Sequence, residues 1–239
     1  MRLNDIRRMS AGKPFDPKDI TGLACWLRSD LGVTLVADKI SAWTDQSGNG
    51  RSVTQTVDAN RPTLTLSGGA GGRPKIISGA SGSTYLTFAS GIWSSLAAGE
   101  IFIAARRDTT GVGSLYGIGG TVDTCFFNAG AINDAFGSTV RYSAGSYGAE
   151  INSPFIYNVS AAPGAWTNRI NGTVKYTIGS NTVAWQSASK LLATSASDPG
   201  TYYFVGDFYE VIVFGRVLSA IERALVMSYL SARYAITVT

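Results

Sequence analysis

Between Gly206 and Arg223 the chain passes from an apolar, β-branched run directly into a helix start, and this transition restricts the fold more than any other stretch. Phe208, Val211, Ile212, Val213 and Phe214 form an aromatic and β-branched run of strand length, interrupted by Gly215. Ser219 and Glu222 then stand at the S-x-x-E spacing of a capping box, in which each side chain satisfies the other residue's free backbone N–H. Behind that cap Ile221, Ala224, Leu225, Ser228, Tyr229 and Ala232 recur at helical spacing. They predict one short amphipathic helix, running to about Arg233 and laying this face on the body of the protein.

The rest of the chain reads as short strands. With 239 residues, 45% of them hydrophobic, 28 glycines and many brief alternating runs, the sequence fits one all-β domain. Strands are expected at Leu23 to Leu27, Tyr85 to Phe88, Glu100 to Ala105, Phe155 to Ser160, Trp166 to Ile170 and Thr173 to Ile178. The last two flank Asn171-Gly172, whose residues both accept positive φ, so they should pair as a hairpin. Small-residue stretches at 67–72 and 78–83 read as exposed or mobile loops. Residues 1–19 are set apart as an arm and 20–239 as the domain: Arg2, Arg7, Arg8, Lys13 and Lys18 are basic, and Pro14 and Pro17 block a continuous helix or strand. Cys25 and Cys125 lie among apolar residues and are expected as reduced, buried thiols, a single bridge being the alternative.

These elements resemble the LamG-like, concanavalin A-like jelly-roll family. Its C-terminal signature is matched by Glu210 to Phe214, by Arg216-Val217-Leu218-Ser219-Ala220-Ile221-Glu222-Arg223 and by Val226 to Tyr234. Near the other end, Gly22 to Asp30 is similar to the family's opening strand, and Trp43-Thr44-Asp45-Gln46-Ser47-Gly48-Asn49-Gly50 to its W-x-D-x-S-G-N-G turn. Gly72-Arg73-Pro74 and Phe88 fit the element that follows, so the likeness runs from about residue 20 to 236. It implies a two-sheet antiparallel jelly-roll sandwich with one short C-terminal helix and an extended N-terminal arm. Fold of this kind does not fix function.

Chemistry is narrowed by what is missing. The chain contains no histidine, which removes Ser-His and Cys-His nucleophile pairs, histidine acid–base catalysis and most zinc sites. A glycosidase would need two facing carboxylates, yet Glu100, Glu150 and Glu210 are scattered, and the E-x-D-x-x-E cluster of related glucanases is not present. Glu210 reads as a strand residue on the solvent face or paired with Arg216 or Arg233, and no catalytic residue is assigned. The resemblance also implies a rim calcium site, for which Asp45, helped by Asn49, is the candidate. The preferred reading needs no metal: Asp45, Ser47 and Asn49 can hydrogen-bond their own turn backbone.

Two functions follow as expectations. The first, and the preferred one, is a non-catalytic structural protein resembling phage virion components (capsid decoration, tail or fibre modules), assembled in the host cytoplasm, docking through Arg2, Arg7, Arg8 and Lys13 onto other subunits and acting as a homo-oligomer. The second is an extracellular, lectin-like module that binds glycans, with Trp185 in a polar loop and Tyr142 and Tyr147 in a Tyr/Ser/Gly-rich stretch as its contact residues. A few arginines without interleaved aromatics make a poor nucleic-acid footprint, and no run of about eighteen apolar residues marks a membrane span.

Overall fold

The computed structural model describes residues 14–78, 84–89, 93–108, 112–118, 125–185, 189–193 and 203–239. In chain order its strands are β1 (Leu23–Arg28), β2 (Val33–Val36), β3 (Lys39–Trp43), β4 (Val53–Thr54), β5 (Thr63–Thr65), β6 (Lys75–Ser78), β7 (Leu86–Phe88), β8 (Gly99–Arg107) and β9 (Gly113–Gly117). Then come β10 (Cys125–Asn128), β11 (Ala131–Asp134), β12 (Tyr142–Ser146), β13 (Phe155–Ala162), β14 (Ala165–Ile170), β15 (Thr173–Ile178), β16 (Lys190–Leu191) and β17 (Gly206–Phe214). One α-helix, α1 (Ala220–Tyr234), follows.

The aromatic and β-branched run ending at Phe214 becomes β17, the centre of the molecule. All nine of its residues are buried. One edge pairs with β8 and the other is shared by β6 at Gly206–Phe208 and β1 at Glu210–Phe214. Burial on both faces explains why this strand is a nearly continuous hydrophobic run and not an alternation. Beyond β8 lie β13, β14 and β15; beyond β6 the pairing continues through β5, β3, β4, β7, β16, β9, β10 and β11 to β12. Every one of these pairings is antiparallel. Strand β12 comes back against β15, so the sheet nearly closes on itself in a sandwich-like or barrel-like form.

Two cores result. Ile101, Ile103 and Ala105 of β8, Val211 and Val213 of β17 and Phe155, Tyr157 and Val159 of β13 meet Leu115, Cys125, Phe127 and Ile132 of the facing strands. On the opposite face, Trp26, Phe102, Ala104, Ile156, Ile212 and Phe214 are covered by Val226, Met227, Leu230 and Tyr234 of α1. The helix starts where expected, with Ser219 and Glu222 completing the capping box. Its buried face differs from the expected one: Glu222, Val226, Met227, Leu230 and Tyr234 point inward, while Ile221 is 55% exposed and Ala224, Ser228 and Ala232 also face out. Arg216 reaches Glu222 at the first turn of this buried face.

The six expected strands are β1, β7, β8, β13, β14 and β15, with no end more than two residues from its expected place. Ile170 pairs with Thr173, and Asn171 (φ 51°) and Gly172 (φ 91°) make the expected turn between them. Both cysteines are free thiols with no exposed surface. Of the arm residues, Arg2, Arg7, Arg8 and Lys13 lie outside the described residues; Phe15 already packs on Tyr229, ring centroids 5.7 Å apart. The loop expected at 67–72 holds Ala70 against the helix-side core, and 79–83 lies outside the described residues. Among the described residues, no helix is long and apolar enough to cross a membrane.

Candidate functional site

Strand β8 alternates its side chains between the two cores, and Arg107 falls on the same parity as Ile101, Ile103 and Ala105. The strand therefore sends an arginine inward at its end, and only 2% of its surface remains exposed. Two rings hold it: the guanidinium carbon lies 5.8 Å from the Phe127 ring centroid and 5.6 Å from that of Tyr147, close enough for cation–π attraction. Nη1 donates to the Tyr147 hydroxyl at 2.9 Å. Tyr147 is itself set by edge contact with Phe127, centroids 5.1 Å apart.

Arg107 and Tyr147 line a cavity of about 330 Å³ together with Ala129, Gly130, Gly148, Ala149 and Asn152. Apart from these two and Asn152 the lining is small and apolar, and none of it is acidic. The cavity offers an aromatic face, an amide and a cation, which suits recognition of a polar ligand. It contains no pair of carboxylates for acid–base work and no nucleophile beside a base.

Of the three aromatics expected to contact glycans, Tyr147 alone borders this cavity. Tyr142 is buried between Trp166 (5.0 Å) and Tyr176 (5.9 Å), and its hydroxyl donates to Asn181 Oδ1 at 2.9 Å. Trp185, expected to stand out from a polar loop, is half-buried and meets the Phe136 ring edge-on at 5.0 Å. Its ring rests over Gly137 and Gly99, whose missing side chains make room for it; a Cβ at either would come within 2.6 or 2.8 Å of the indole. Trp93 and Trp166 have no exposed surface. A polar loop sequence does not reveal that a glycine floor awaits its tryptophan.

At the Trp43–Gly50 turn, Asp45 is buried and both of its oxygens are engaged. Oδ1 accepts from the backbone N–H of Trp26 (2.9 Å) and Ser47 (2.8 Å), and Oδ2 from Arg51 N–H (2.9 Å) and Ser47 Oγ (2.7 Å). Asn49 donates to the carbonyls of Leu23 and Ala24. The pair thus ties the turn to β1, and among the described residues no group of three or more acidic or Cys side chains gathers to hold a metal.

The buried carboxylates are structural. Glu210, expected at the solvent face, has no exposed surface: a register shift in the β17–β8 pairing between Phe208 and Glu210 accompanies its burial with Tyr209 under α1. It accepts from Trp26 Nε1 (2.6 Å), Tyr229 Oη (2.9 Å) and Tyr234 Oη (2.7 Å) and pairs with Arg233 at 3.2 Å, the partner the sequence suggested. Burial pushes its carboxyl above the usual range despite those bonds. Glu100 is held by Arg223 and Asn158. Asp134 accepts from the hydroxyls of Tyr116 (2.8 Å) and Tyr157 (2.7 Å) deep in the larger core, and burial raises its carboxyl to about 6.

The class these features define is an all-β sandwich-like domain with a small polar cavity at one strand end. No protein-family model matches the chain, and no curated protein does. Solved structures of similar fold include a Trypanosoma rangeli sialidase in complex with a difluorinated keto-deoxy-nononic acid, at 13% identity and TM-score 0.52, covering 89% of this chain and 33% of that one. The binding domain of botulinum neurotoxin DC in complex with SialylT matches at 11% identity and TM-score 0.55, over 90% of this chain and 52% of that one. A GH54 α-L-arabinofuranosidase matches at 15% identity and TM-score 0.57, over 82% and 51%. The chain thus spans a third to about half of these proteins, and likeness at such identity is likeness of fold.

Proposed function

We propose that this chain is a carbohydrate-binding, lectin-like domain that acts by binding and not by catalysis, built as a jelly roll of the LamG-like type. The observation that carries this reading is the cavity at the end of β8, where Tyr147 supplies a ring face, Asn152 an amide and Arg107 a fixed cation. Saccharide rings present apolar C–H faces and a rim of hydroxyls, the surface such a mixed lining accommodates. The similar folds include proteins described in complex with sugar-derived ligands, which supports the same direction. The jelly-roll reading is supported by the facing of β17, β8 and β13 against β9, β10 and β11 across the larger core.

Glycan-array binding of the full chain tests this function. Saturable binding to a subset of glycans is expected, and Tyr147→Ala, folded as judged by circular dichroism though less stable because it also removes the hydroxyl that holds the buried Arg107, should abolish it. Absence of binding by the unaltered chain, or identical binding by the variant, refutes the assignment.

A further inference from the structure

Strand β14 sends Trp166, Asn168 and Ile170 into the larger core, so Arg169 falls on the other face of the sheet, the one that α1 covers. There it ends a row of polar side chains that crosses three strands. Glu100 of β8 accepts from Arg223 Nε (2.6 Å) and Nη2 (3.0 Å), from the Leu218 N–H (2.8 Å) and from Asn158 Nδ2 (2.9 Å), which fills its acceptor sites. Asn158 of β13 in turn accepts from Arg169 Nη1 at 3.0 Å. Glu100 is thus taken up by Arg223, and Arg169 reaches a neutral amide in its place.

Among the described residues the charges that act on Arg169 are Arg223, which repels it, and Glu100, which is already engaged. Burial, with the Arg223 charge added, holds its guanidinium below the usual range. Its Nε and Nη2 make no hydrogen bond among the described residues and are not sealed from solvent. Arg169 itself lines a cavity of about 270 Å³ between α1, the turn after β14 and residues 238–239. Ala220, Ala224, Met227 and Val238 give this cavity an apolar wall and Ser228 a hydroxyl; it shares no residue with the cavity at the end of β8. The first turn of α1, at Ala220 and Arg223, stands on the wall, and this end of a helix favours negative charge. The side chains lining the cavity include two arginines and no Asp or Glu; Glu100, bonded to Arg223, cancels one of them and leaves one positive charge.

We propose that this cavity binds an organic monoanion, a carboxylate carried on an apolar chain or ring, with its two oxygens on the free Nε/Nη2 edge of Arg169 and its apolar part on Ala224, Met227 and Val238. That planar edge offers two parallel donors to the two oxygens, and one net positive charge suits a carboxylate better than a doubly charged phosphate. The site is separate from glycan recognition and does not depend on that reading.

Calorimetric titration of the full chain with acetate, hexanoate, hexanamide and inorganic phosphate is the test. Hexanoate should bind about tenfold or more tightly than hexanamide, which cannot make the charge-assisted hydrogen bonds. It should also bind more tightly than acetate, which has too little chain to cover the wall. Arg169→Met should abolish the preference for acid over amide. Because that change also takes a donor from Asn158, Ala224→Leu supplies a second arm. Ala224 is exposed on α1, so leucine there fills the cavity without touching the ionic row, and it should weaken hexanoate about tenfold with an unchanged melting temperature. Equal affinity for hexanoate and hexanamide, phosphate bound more tightly than hexanoate, a preference that survives both variants, or no binding of any probe overturns the proposal.

Discussion

Arg107 and Asp134 are both buried ionisable residues, and the fold treats them in opposite ways. Asp134 has its acceptors filled, by Tyr116, Tyr157 and the Phe136 N–H, but no cation beside it among the described residues, and burial lifts its carboxyl from 3.8 to about 6. The folded state then holds a proton that the unfolded chain releases, so stability is highest below about pH 4 for this group and declines as pH rises toward 6. The linkage amounts to roughly 3 kcal/mol, and Asp134→Asn should flatten that stretch of a plot of unfolding free energy against pH. An unaltered slope in the variant would show that another group governs it. Arg107 was legible in part: the alternation Ile101, Ile103, Ala105, Arg107 puts it on the inner face, a signal that attention to carboxylates and aromatics passes over. Glu210 was not legible, because Trp26, 184 residues away in sequence, and the helix tyrosines are what make its burial tolerable.

Among elements, α1 shows how a correct boundary can accompany a wrong face. The capping box is a local pattern of four residues and reads directly from sequence. The rotation of the helix is set by Val226, Met227, Leu230 and Tyr234 against β17, β8 and β1; Val226, Leu230 and Tyr234 recur four apart, a stripe more apolar than the one through Ile221, Ala224 and Ser228. Glu222 belongs to both levels. It caps the helix through the Ser219 N–H and holds Arg216, whose guanidinium draws its carboxyl down to about 2. That stability is present above the ordinary glutamate range and is lost as pH falls through about 2. Glu222→Ala removes cap and pair together and should cost about 1–2 kcal/mol in denaturant unfolding at neutral pH. A change under a few tenths would mean that packing alone holds the helix end. The hairpin at Asn171-Gly172 was fully legible, since its dihedral requirement is met by those two residues alone. Strands β2 to β6, β9 to β12 and β16 were not expected: all are short, most carry small or polar residues, and they gain their order from pairing with neighbouring strands.

For the whole molecule, near-closure of the sheet places Cys25 and Cys125 in the larger core with no exposed surface, and burial raises both thiols well above their ordinary range. A thiol-specific reagent should label them only through opening of the core, at rates that follow global stability across a denaturant series. Prompt labelling of either in native buffer would indicate that its part of the sandwich opens independently. The same closure has a consequence for the order in which the protein is made. Strand β17 supplies the partner edges for β1, β6 and β8, so strands from residues 23 to 107 are synthesised long before the segment that joins them. Until residues 206–214 leave the ribosome, those edges are open to other chains, and the interval is a window in which nascent copies in close proximity, or a chaperone, can capture them.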